Sequence, residues 1–328
     1  MCLNTIDEIK RPIALEFAQF EQAFRDALKT DHPLLKEALE HIILTVGKQL
    51  RPIMVLLSAK MCHGVNEKTI QTAVAMELLH TASLIHDDVV DNSPTRRGAP
   101  SVQAIFGNKV AVRGGDFVLA RVIEITANLR NLKILNIVAD MGKTLSTGEI
   151  MQLHAYASPW ITEESYMRVI DQKTASLFAA CTQAGGVSSG ASAKQETQLR
   201  TFGREIGLIF QMKDDVLDYS EQEIGKPTLS DIRDGKATLP LIVALNRAPQ
   251  DEAAAIRSIA EQLSESPHPD EDMQRIQSFV LKYDGIRYVE RPMQVPKQNA
   301  HGELASFHQS DVKSALLQLL QYTIIRTY

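Results

Sequence analysis

The sequence has little cysteine and no excess of positive charge. Its 328 residues include only three cysteines, at scattered positions 2, 62 and 181. Their scattered positions and odd number argue against a disulfide framework or a cysteine-rich zinc site, so we expect reduced thiols. The formal net charge of −5 argues against a general nucleic-acid binder, because such proteins carry an excess of lysine and arginine.

Long apolar runs are also missing. No uninterrupted apolar run marks a signal peptide within residues 1–15, and no stretch reaches the ~18 apolar residues that a membrane span requires. We therefore expect a cytoplasmic protein with no transmembrane segment and no nucleic-acid partner.

Strand patterns are scarce, whereas apolar residues recur at three- and four-residue steps along most of the chain. Apolar residues make up 44% of the sequence, which supports a large core, and no linker divides the chain before about residue 292. The prediction is an all-α fold with a single domain over residues 1–328. We expect residues 291–302 to be irregular because they contain Pro292, Pro296 and Gly302. Helices are predicted at 5–29, 34–46, 52–62, 67–91, 102–106, 110–127, 131–157, 162–184, 194–219, 239–245, 251–263, 270–283 and 311–326.

Two acidic sequences of the same form end two of these helices. The first acid motif (residues 87–91) reads Asp-Asp-Val-Val-Asp, and the second acid motif (residues 214–218) reads Asp-Asp-Val-Leu-Asp. In each motif the first and last acids share a helix face, and the middle acid points aside. Either motif alone is compatible with a helix cap or a solvated acidic patch. Together, facing each other, they would suit Mg²⁺, which prefers carboxylate and phosphate oxygens. The predicted metal-binding acids are Asp87, Asp88, Asp91, Asp214, Asp215 and Asp218.

Basic residues accompany both acid motifs. Any one of them is equally compatible with solvated surface. Arginine binds phosphate through two parallel hydrogen bonds, and lysine acts as a point charge. Metal-binding acids beside such cations predict diphosphate groups bridged to Mg²⁺. These basic residues are Lys48, Arg51, Arg96, Arg97, Lys226, Arg233 and Lys236.

Taken together, these patterns resemble the trans-isoprenyl diphosphate synthases of the polyprenyl synthetase family. The matching stretches follow the family order from about residue 40 to residue 245. They are Gly47-Lys48-Gln49-Leu50-Arg51-Pro52, His80 to Asp91, Arg96-Arg97-Gly98, Gly115-Asp116-Phe117, Gly148-Glu149 with Gln152, Lys173-Thr174-Ala175, Phe210 to Asp218, Gly225-Lys226-Pro227 and Gly235-Lys236.

The resemblance implies a role for each matched position. Asp87, Asp91 and Asp214 would be Mg²⁺ ligands, with three ions in each active site. The further acids, which would bind or support the same ions, are Asp88, Asp215 and Asp218. The residues implied to hold the diphosphate of isopentenyl diphosphate are Lys48, Arg51, His80 and Arg97. Those implied to hold the allylic diphosphate are Arg96, Lys173, Lys226 and Lys236. The implied catalytic residues are Lys173, Thr174 and Gln211, the last two lying near the developing allylic cation.

The resemblance also implies the reaction. An allylic diphosphate loses its diphosphate, and the double bond of isopentenyl diphosphate attacks the cation. Repetition of this step lengthens the chain, and a homodimer is implied as the assembly. Other interpretations are a short-chain farnesyl or geranylgeranyl diphosphate synthase, a class I terpene cyclase and a non-catalytic partner subunit. A cyclase would not need Lys48, Arg51 and Arg97, and a non-catalytic subunit usually lacks acids of one motif.

The chain departs from the family pattern at two places. Family members often have a glycine two residues after the Lys226-Pro227 pair or close to it, where this chain has Thr228-Leu229. The family also usually continues with regular helices in its last third, whereas residues 291–302 break the helical pattern of this sequence.

Product length is predicted from Ala82 and Ser83. A growing chain must pass the side chains one turn before Asp87, about 6 Å along the helix. In the family that the sequence resembles, these two positions commonly limit product length, and short-chain members tend to have an aromatic residue there. The small residues here therefore imply a long product of roughly seven to ten isoprene units. The alternative is that both residues are small because another helix packs closely against them. We expect Ala82→Tyr or Ser83→Phe to shorten the main product to farnesyl or geranylgeranyl length, as measured by reversed-phase chromatography. Unchanged products from both variants would place the chain-length limit elsewhere.

Overall fold

The computed structural model describes residues 5–45, 47–157, 162–219, 229–233, 236–263 and 266–326. It confirms the all-α prediction. Its helices in these ranges are α1 Ile6–Lys10, α2 Ala14–Ala27, α3 Pro33–Leu44, α4 Leu50–Cys62, α5 Glu67–Val90, α6 Val102–Phe106, α7 Asn108–Asn128, α8 Leu132–Ala157, α9 Glu163–Ile170, α10 Ser176–Ser189, α11 Ala193–Asp218, α12 Ser230–Arg233, α13 Leu239–Arg247, α14 Gln250–Gln262, α15 Pro269–Lys282, α16 Gly285–Val289, α17 Gln294–Leu304 and α18 Asp311–Ile325.

Two short non-α segments interrupt the predicted helices. A 3₁₀ turn at Arg11–Ile13 separates α1 from α2, at the position where Pro12 lacks a backbone N–H. A π-helical segment, Asp171–Ala175, lies between α9 and α10. The prediction of one helix over residues 162–184 therefore missed a local change in backbone geometry.

The prediction that residues 291–302 are irregular was wrong, because α17 covers most of them. Pro296 is the third residue of α17, and the first four N–H groups of an α-helix have no partner within the helix. A proline there removes no intrahelical hydrogen bond. The proline thus lies where a helix tolerates it and does not interrupt a longer helix.

The loop after the first acid motif contains a minimal β-hairpin. Strand β1 (Thr95–Arg96) pairs with antiparallel strand β2 (Ala99–Pro100), with Thr95 opposite Pro100. The two connecting residues, Arg97 and Gly98, both have positive φ, at 54° and 76°. This is the turn geometry that two-residue hairpins favour, and it fixes the positions of both arginines after α5.

The chain forms two compact units, each built from three stretches. The first unit comprises residues 1–143, 178–203 and 301–322, and α5 is its central helix. Helix α5 packs against α2, α4 and α7, with Phe20, Ile53 and Met76 fully buried. A hydrogen-bonded cap between Asn66 and Thr69 begins α5 at the predicted residue.

The second unit comprises residues 144–177, 204–300 and 323–328. Helix α13 packs in it against α9, α15 and α16, with Leu239 and Ile276 fully buried. The single-domain assignment stays a prediction. Among the described residues, no helix combines the length and the apolar character needed to cross a bilayer.

Close helix packing in the first unit depends on Gly185 of α10. A Cβ atom at this position would lie 2.3 Å from the carbonyl oxygen of Val55 in α4. The neighbouring atom belongs to the backbone of a buried helix and cannot rotate away. The two helices therefore require glycine here.

We predict that Gly185→Ala lowers the free energy of unfolding by about 1–3 kcal/mol, the usual cost of overpacking a core. Gly142→Ala in α8 is the matched control, because a Cβ there would meet nothing within 4 Å. Alanine's higher helix propensity should make that variant as stable as wild type or up to about 1 kcal/mol more stable. Urea denaturation of both variants tests this, and equal stability of the two would contradict the packing argument.

Candidate functional site

The first acid motif lies at the C-terminal end of α5. Asp87 is half-buried, Asp91 is the exposed C-cap residue, and the Asp91 N–H donates to the Asp87 carbonyl oxygen at 2.8 Å. Asp88 points aside, as predicted, and is buried. Its Oδ1 accepts hydrogen bonds from Arg96 Nε at 2.8 Å and from Arg96 Nη2. Arg96 therefore neutralises the one acid of this motif that is inside the protein.

A cluster of basic residues surrounds the segment between α3 and α4. Thr45, and not Gly47, is the C-cap residue of α3. Gly47 instead leaves room for Arg97, since a Cβ there would lie 2.8 Å from the guanidinium carbon. Arg97 Nη1 donates to the Thr45 carbonyl oxygen at 3.2 Å. The hairpin arginine is thus held against the Gly47 segment.

Two further predicted cations lie on aromatic rings in the same unit. Lys48 Nζ is 5.6 Å from the ring centroid of Tyr322, and the guanidinium of Arg51 is 5.4 Å from that of Phe178. Such contacts attract the charged group to the face of the ring.

His80 and Glu77 occupy the interior of this basic cluster. Both are buried on α5. Burial, followed by the charges of Arg51, Arg97 and Arg96, lowers the pKa of His80 well below its ordinary value. The ring is therefore neutral at pH 7. Burial raises the pKa of Glu77, and Arg51 and Arg97 oppose that rise. Glu77 was missed from the sequence, although an acid inside the apolar stretch of α5 was a visible signal.

The second acid motif ends α11. Asp214 Oδ1 is 2.7 Å from Arg326 Nη2, and Asp218 Oδ2 accepts a hydrogen bond from the backbone N–H of Asp231 at 3.1 Å. The N–H of Leu229 donates to the Asp218 carbonyl oxygen at 2.8 Å. Leu229 has a φ of 60°, a left-handed conformation that favours glycine, at the position where the family often has glycine. The chain keeps this conformation while burying a leucine side chain.

Asp215 is the buried acid of the second motif, and it ends a relay of hydrogen bonds. Tyr166 donates to its Oδ2 at 2.5 Å, and Gln211 Nε2 donates to its Oδ1 at 2.9 Å. Thr174 in turn donates to Gln211 Oε1 at 2.8 Å. Burial, and then the neighbouring carboxylate of Asp231, raise the pKa of Asp215 to about 8.

The relay determines which way the hydroxyl hydrogen of Thr174 points. Because its only hydroxyl hydrogen goes to Gln211, the Thr174 oxygen offers only lone pairs to other groups. An oxygen in this state is suited to a neighbouring positive charge.

Lys173 and Thr174 both belong to the π-helical segment. Lys173 Nζ lies 2.8 Å from Glu149 Oε1 and donates to Gln152 Oε1 at 3.0 Å. Gly148 allows this approach, because a Cβ there would lie 3.2 Å from the Lys173 backbone nitrogen. The ammonium group is thus fixed by two side chains from α8.

A cavity of about 110 Å³ in the second unit brings much of the predicted site together. Five of the predicted site residues line it. They are Lys173, Thr174, Gln211, Asp215 and Lys236. Tyr166 and Asp231, which were not predicted as site residues, line it as well. Lys226, another cation predicted to hold the allylic diphosphate, lies outside the described residues.

The acids fit a divalent cation by their chemistry, but they do not form a closed metal cage. No group of three His, Cys, Asp or Glu side chains within the described ranges is arranged to hold a metal ion. The outer acids Asp87, Asp91, Asp214 and Asp218 are more exposed than the middle acids. Such a set suits Mg²⁺, which keeps several waters and binds through a few carboxylates together with substrate phosphates.

The two residues predicted to limit product length differ in environment. Ala82 is fully buried and lies one turn before His86 on the same side of α5. His86 lies against α7, since a Cβ on Gly115 would be 2.2 Å from its Nε2. Ser83 is half-buried, and its hydroxyl donates to the His80 carbonyl oxygen at 2.9 Å. Close packing is therefore a sufficient reason for the small residue at 82, but not at 83.

Comparison with known proteins gives consistent matches over the whole chain. The polyprenyl synthetase family profile matches residues 32–278. The chain is 36% identical to octaprenyl diphosphate synthase from Haemophilus influenzae, over 99% of this chain and 98% of that one. It is also similar to the crystal structure of a polyprenyl synthase from Caulobacter crescentus, complexed with calcium and isoprenyl diphosphate. That similarity has a TM-score of 0.93 and 31% identity over 100% of both chains. Geranylgeranyl pyrophosphate synthase from Bacteroides thetaiotaomicron matches with a TM-score of 0.84 and 37% identity, over 98% of this chain and 99% of that one.

The relay to Asp215 predicts a measurable contribution of Tyr166 to stability. Tyr166→Phe removes one of the donors to a buried carboxyl group, so we expect unfolding free energy to fall by about 1–3 kcal/mol. Tyr288→Phe is the control, because the Tyr288 hydroxyl has no hydrogen bond to a described residue. Denaturant titrations at pH 7 that give equal stability for both variants would show that the Tyr166 hydroxyl does not support Asp215.

Proposed function

Because the chain belongs to the polyprenyl synthetase family of prenyltransferases, we propose that it elongates an allylic prenyl diphosphate with isopentenyl diphosphate to a long-chain polyprenyl diphosphate. The observation that carries this proposal is the single cavity lined by Lys173, Thr174, Gln211, Asp215 and Lys236. It combines cations suited to a diphosphate with oxygen groups suited to a carbocation.

The two diphosphates are assigned to different sets of cations. Lys48, Arg51, His80 and Arg97 hold isopentenyl diphosphate, and the clustering of Arg51 and Arg97 around the neutral ring of His80 supports this. Arg96, Lys173, Lys226 and Lys236 hold the allylic diphosphate. The fixed ammonium group of Lys173 supports the second assignment.

Both acid motifs hold Mg²⁺ in this proposal, with three ions in each active site. Members of the family are generally Mg²⁺-dependent, and the similar Caulobacter crescentus synthase was crystallised with calcium and isoprenyl diphosphate. Asp87, Asp91, Asp214 and Asp218 are the direct ligands, whereas Asp88 and Asp215 orient the motifs through Arg96, Tyr166 and Gln211. Bound Mg²⁺ would neutralise the negative charge of the leaving diphosphate.

The side chains then guide the condensation. Lys173 and Lys236 draw negative charge from the allylic C–O bond as it breaks, which stabilises the transition state electrostatically. The oxygen lone pairs of Thr174 face the positive charge that develops on the allylic carbon. The double bond of isopentenyl diphosphate forms the new C–C bond, and the released diphosphate takes the proton that is lost. No dedicated protein base is required.

The long product is supported by relatives and by the small residues before Asp87. The similar Haemophilus influenzae protein is an octaprenyl diphosphate synthase. Ser83, on the half-buried face of α5, is the residue that a growing chain passes. A short-chain product is the second candidate, because a similar crystal structure is that of a geranylgeranyl pyrophosphate synthase.

A cytoplasmic homodimer is the proposed assembly. Helix α7 exposes apolar side chains along one face, including Val112 at 38% and Ile123 at 66% exposure. These side chains are spaced for a helix–helix contact, and a second copy of the chain would cover them.

We predict that the purified chain, incubated with Mg²⁺, labelled isopentenyl diphosphate and farnesyl diphosphate, makes long prenyl diphosphates. Asp87→Ala and Asp214→Ala should each lower turnover at least about 100-fold, because each removes transition-state charge stabilisation. The helical circular dichroism should stay unchanged. Cyclised hydrocarbon would indicate a terpene cyclase, and no product would indicate a subunit that needs a partner. Near-normal turnover of either aspartate variant would overturn the metal assignment.

A further inference from the structure

Arg326, the residue after α18, is directed against the Phe210–Asp214 turn of α11, one turn before the end of that helix. Its side chain is only 7% exposed and makes three contacts in the second unit. Nη2 donates to the carbonyl oxygen of Phe210 at 2.8 Å and lies 2.7 Å from Asp214 Oδ1. The guanidinium carbon is 3.8 Å from the centroid of the Phe210 ring.

These contacts fix the arginine more firmly than the aspartate. Phe210 and Asp214 are one turn apart on the same helix, so Arg326 contacts both ends of that turn. Moving the guanidinium away would leave a buried charge without its carboxylate, which is costly. Asp214 is less constrained by burial, since its side chain is 42% exposed.

The ion pair with Arg326 uses one of the two oxygen atoms of the Asp214 carboxylate. The closest approach of Arg326 to Asp214 is to Oδ1, and the described residues make no hydrogen bond to Oδ2. A carboxylate held at one oxygen has a fixed orientation and presents the other oxygen to a cation. Groups that orient a metal ligand in this way typically change metal affinity about 10–100-fold when they are removed.

We propose that Arg326 is a positioning residue that fixes the Asp214 carboxylate so that its free oxygen binds a divalent cation. This inference rests on the proposed function, because it takes Asp214 as a metal ligand. It assigns a role in metal binding to a residue outside both acid motifs, 112 positions after Asp214 in the sequence (326 minus 214).

If Arg326 hindered metal binding, the measured metal affinity would change in the opposite direction. If the arginine only competed with the cation for Asp214, removing its charge would strengthen metal binding. Lys213 offers the matched control: it adjoins Asp214, and burial, followed by the charge of Arg326, lowers its pKa. It makes no ion pair with a described residue. Lys213→Met therefore removes the same charge without releasing the carboxylate.

The test is the dissociation constant of Mn²⁺, measured by electron paramagnetic resonance on the full chain without substrate. Arg326→Met keeps an apolar stem on Phe210 but removes the ion pair, and it should weaken Mn²⁺ binding about 10-fold or more. Lys213→Met should bind Mn²⁺ as tightly as wild type or more tightly. The Mg²⁺ concentration for half-maximal turnover should rise for Arg326→Met by a similar factor, with the KM for isopentenyl diphosphate changed less than about threefold.

Unchanged or tighter Mn²⁺ binding by Arg326→Met would overturn the proposal. If that variant does not fold, Phe210→Leu replaces it, because loss of the ring loosens the guanidinium without removing its charge. Weaker Mn²⁺ binding is expected for Phe210→Leu as well, and binding equal to wild type would again overturn the proposal. Asp214→Ala separates the two levels of inference. Normal Mn²⁺ binding and turnover in Asp214→Ala would refute the metal assignment itself, whereas a defect there without one in Arg326→Met would refute only the positioning role.

Discussion

A carboxylate inside a protein needs a partner, and this constraint explains the form of both acid motifs. The middle acid of each motif is buried and satisfied by protein groups: Asp88 by Arg96, and Asp215 by Tyr166 and Gln211. These bonds attach the end of each helix to a neighbouring segment. The outer acids are more exposed and remain at the helix end. In each motif the middle aspartate therefore supports the structure, whereas the aspartate next to it is placed to bind a ligand.

The fold was largely predictable from the sequence because its apolar pattern is long and regular. The apolar stretch ending at Asp91 is long and periodic, and the predicted start of α5 at Glu67 agrees with the structure. Prediction failed where the meaning of a residue depends on its position within an element. Pro296 occupies the first turn of α17, where it is tolerated, although a proline in this stretch of the sequence predicts irregular structure. The π-helical segment at Asp171–Ala175 has no residue type that marks it.

The candidate site was predictable where its residues belong to a local sequence motif. Lys173, Thr174, Gln211, Asp215 and Lys236 were predicted from such motifs, and they line one cavity. Their supporting partners were not predicted. Tyr166 and Asp215 are 49 positions apart, and no local pattern pairs a tyrosine with a distant aspartate. The same holds for Glu149 with Lys173 and for Arg326 with Asp214. Such pairs are decided by packing in three dimensions, which a single sequence does not display.

The π-helical segment makes the site sensitive to the number of residues and not only to their identity. A π-helix closes its hydrogen bonds over one more residue than an α-helix does. Deleting one residue from Asp171–Ala175 would let a regular α-helix form, and the side chains on its two sides would then be rotated by about 100° relative to each other. Tyr166 lies before this segment and Thr174 within it, yet both must reach the same relay to Asp215. The eight-position spacing between them is therefore a length constraint. Insertions and deletions here would abolish the relay even if every named side chain were kept.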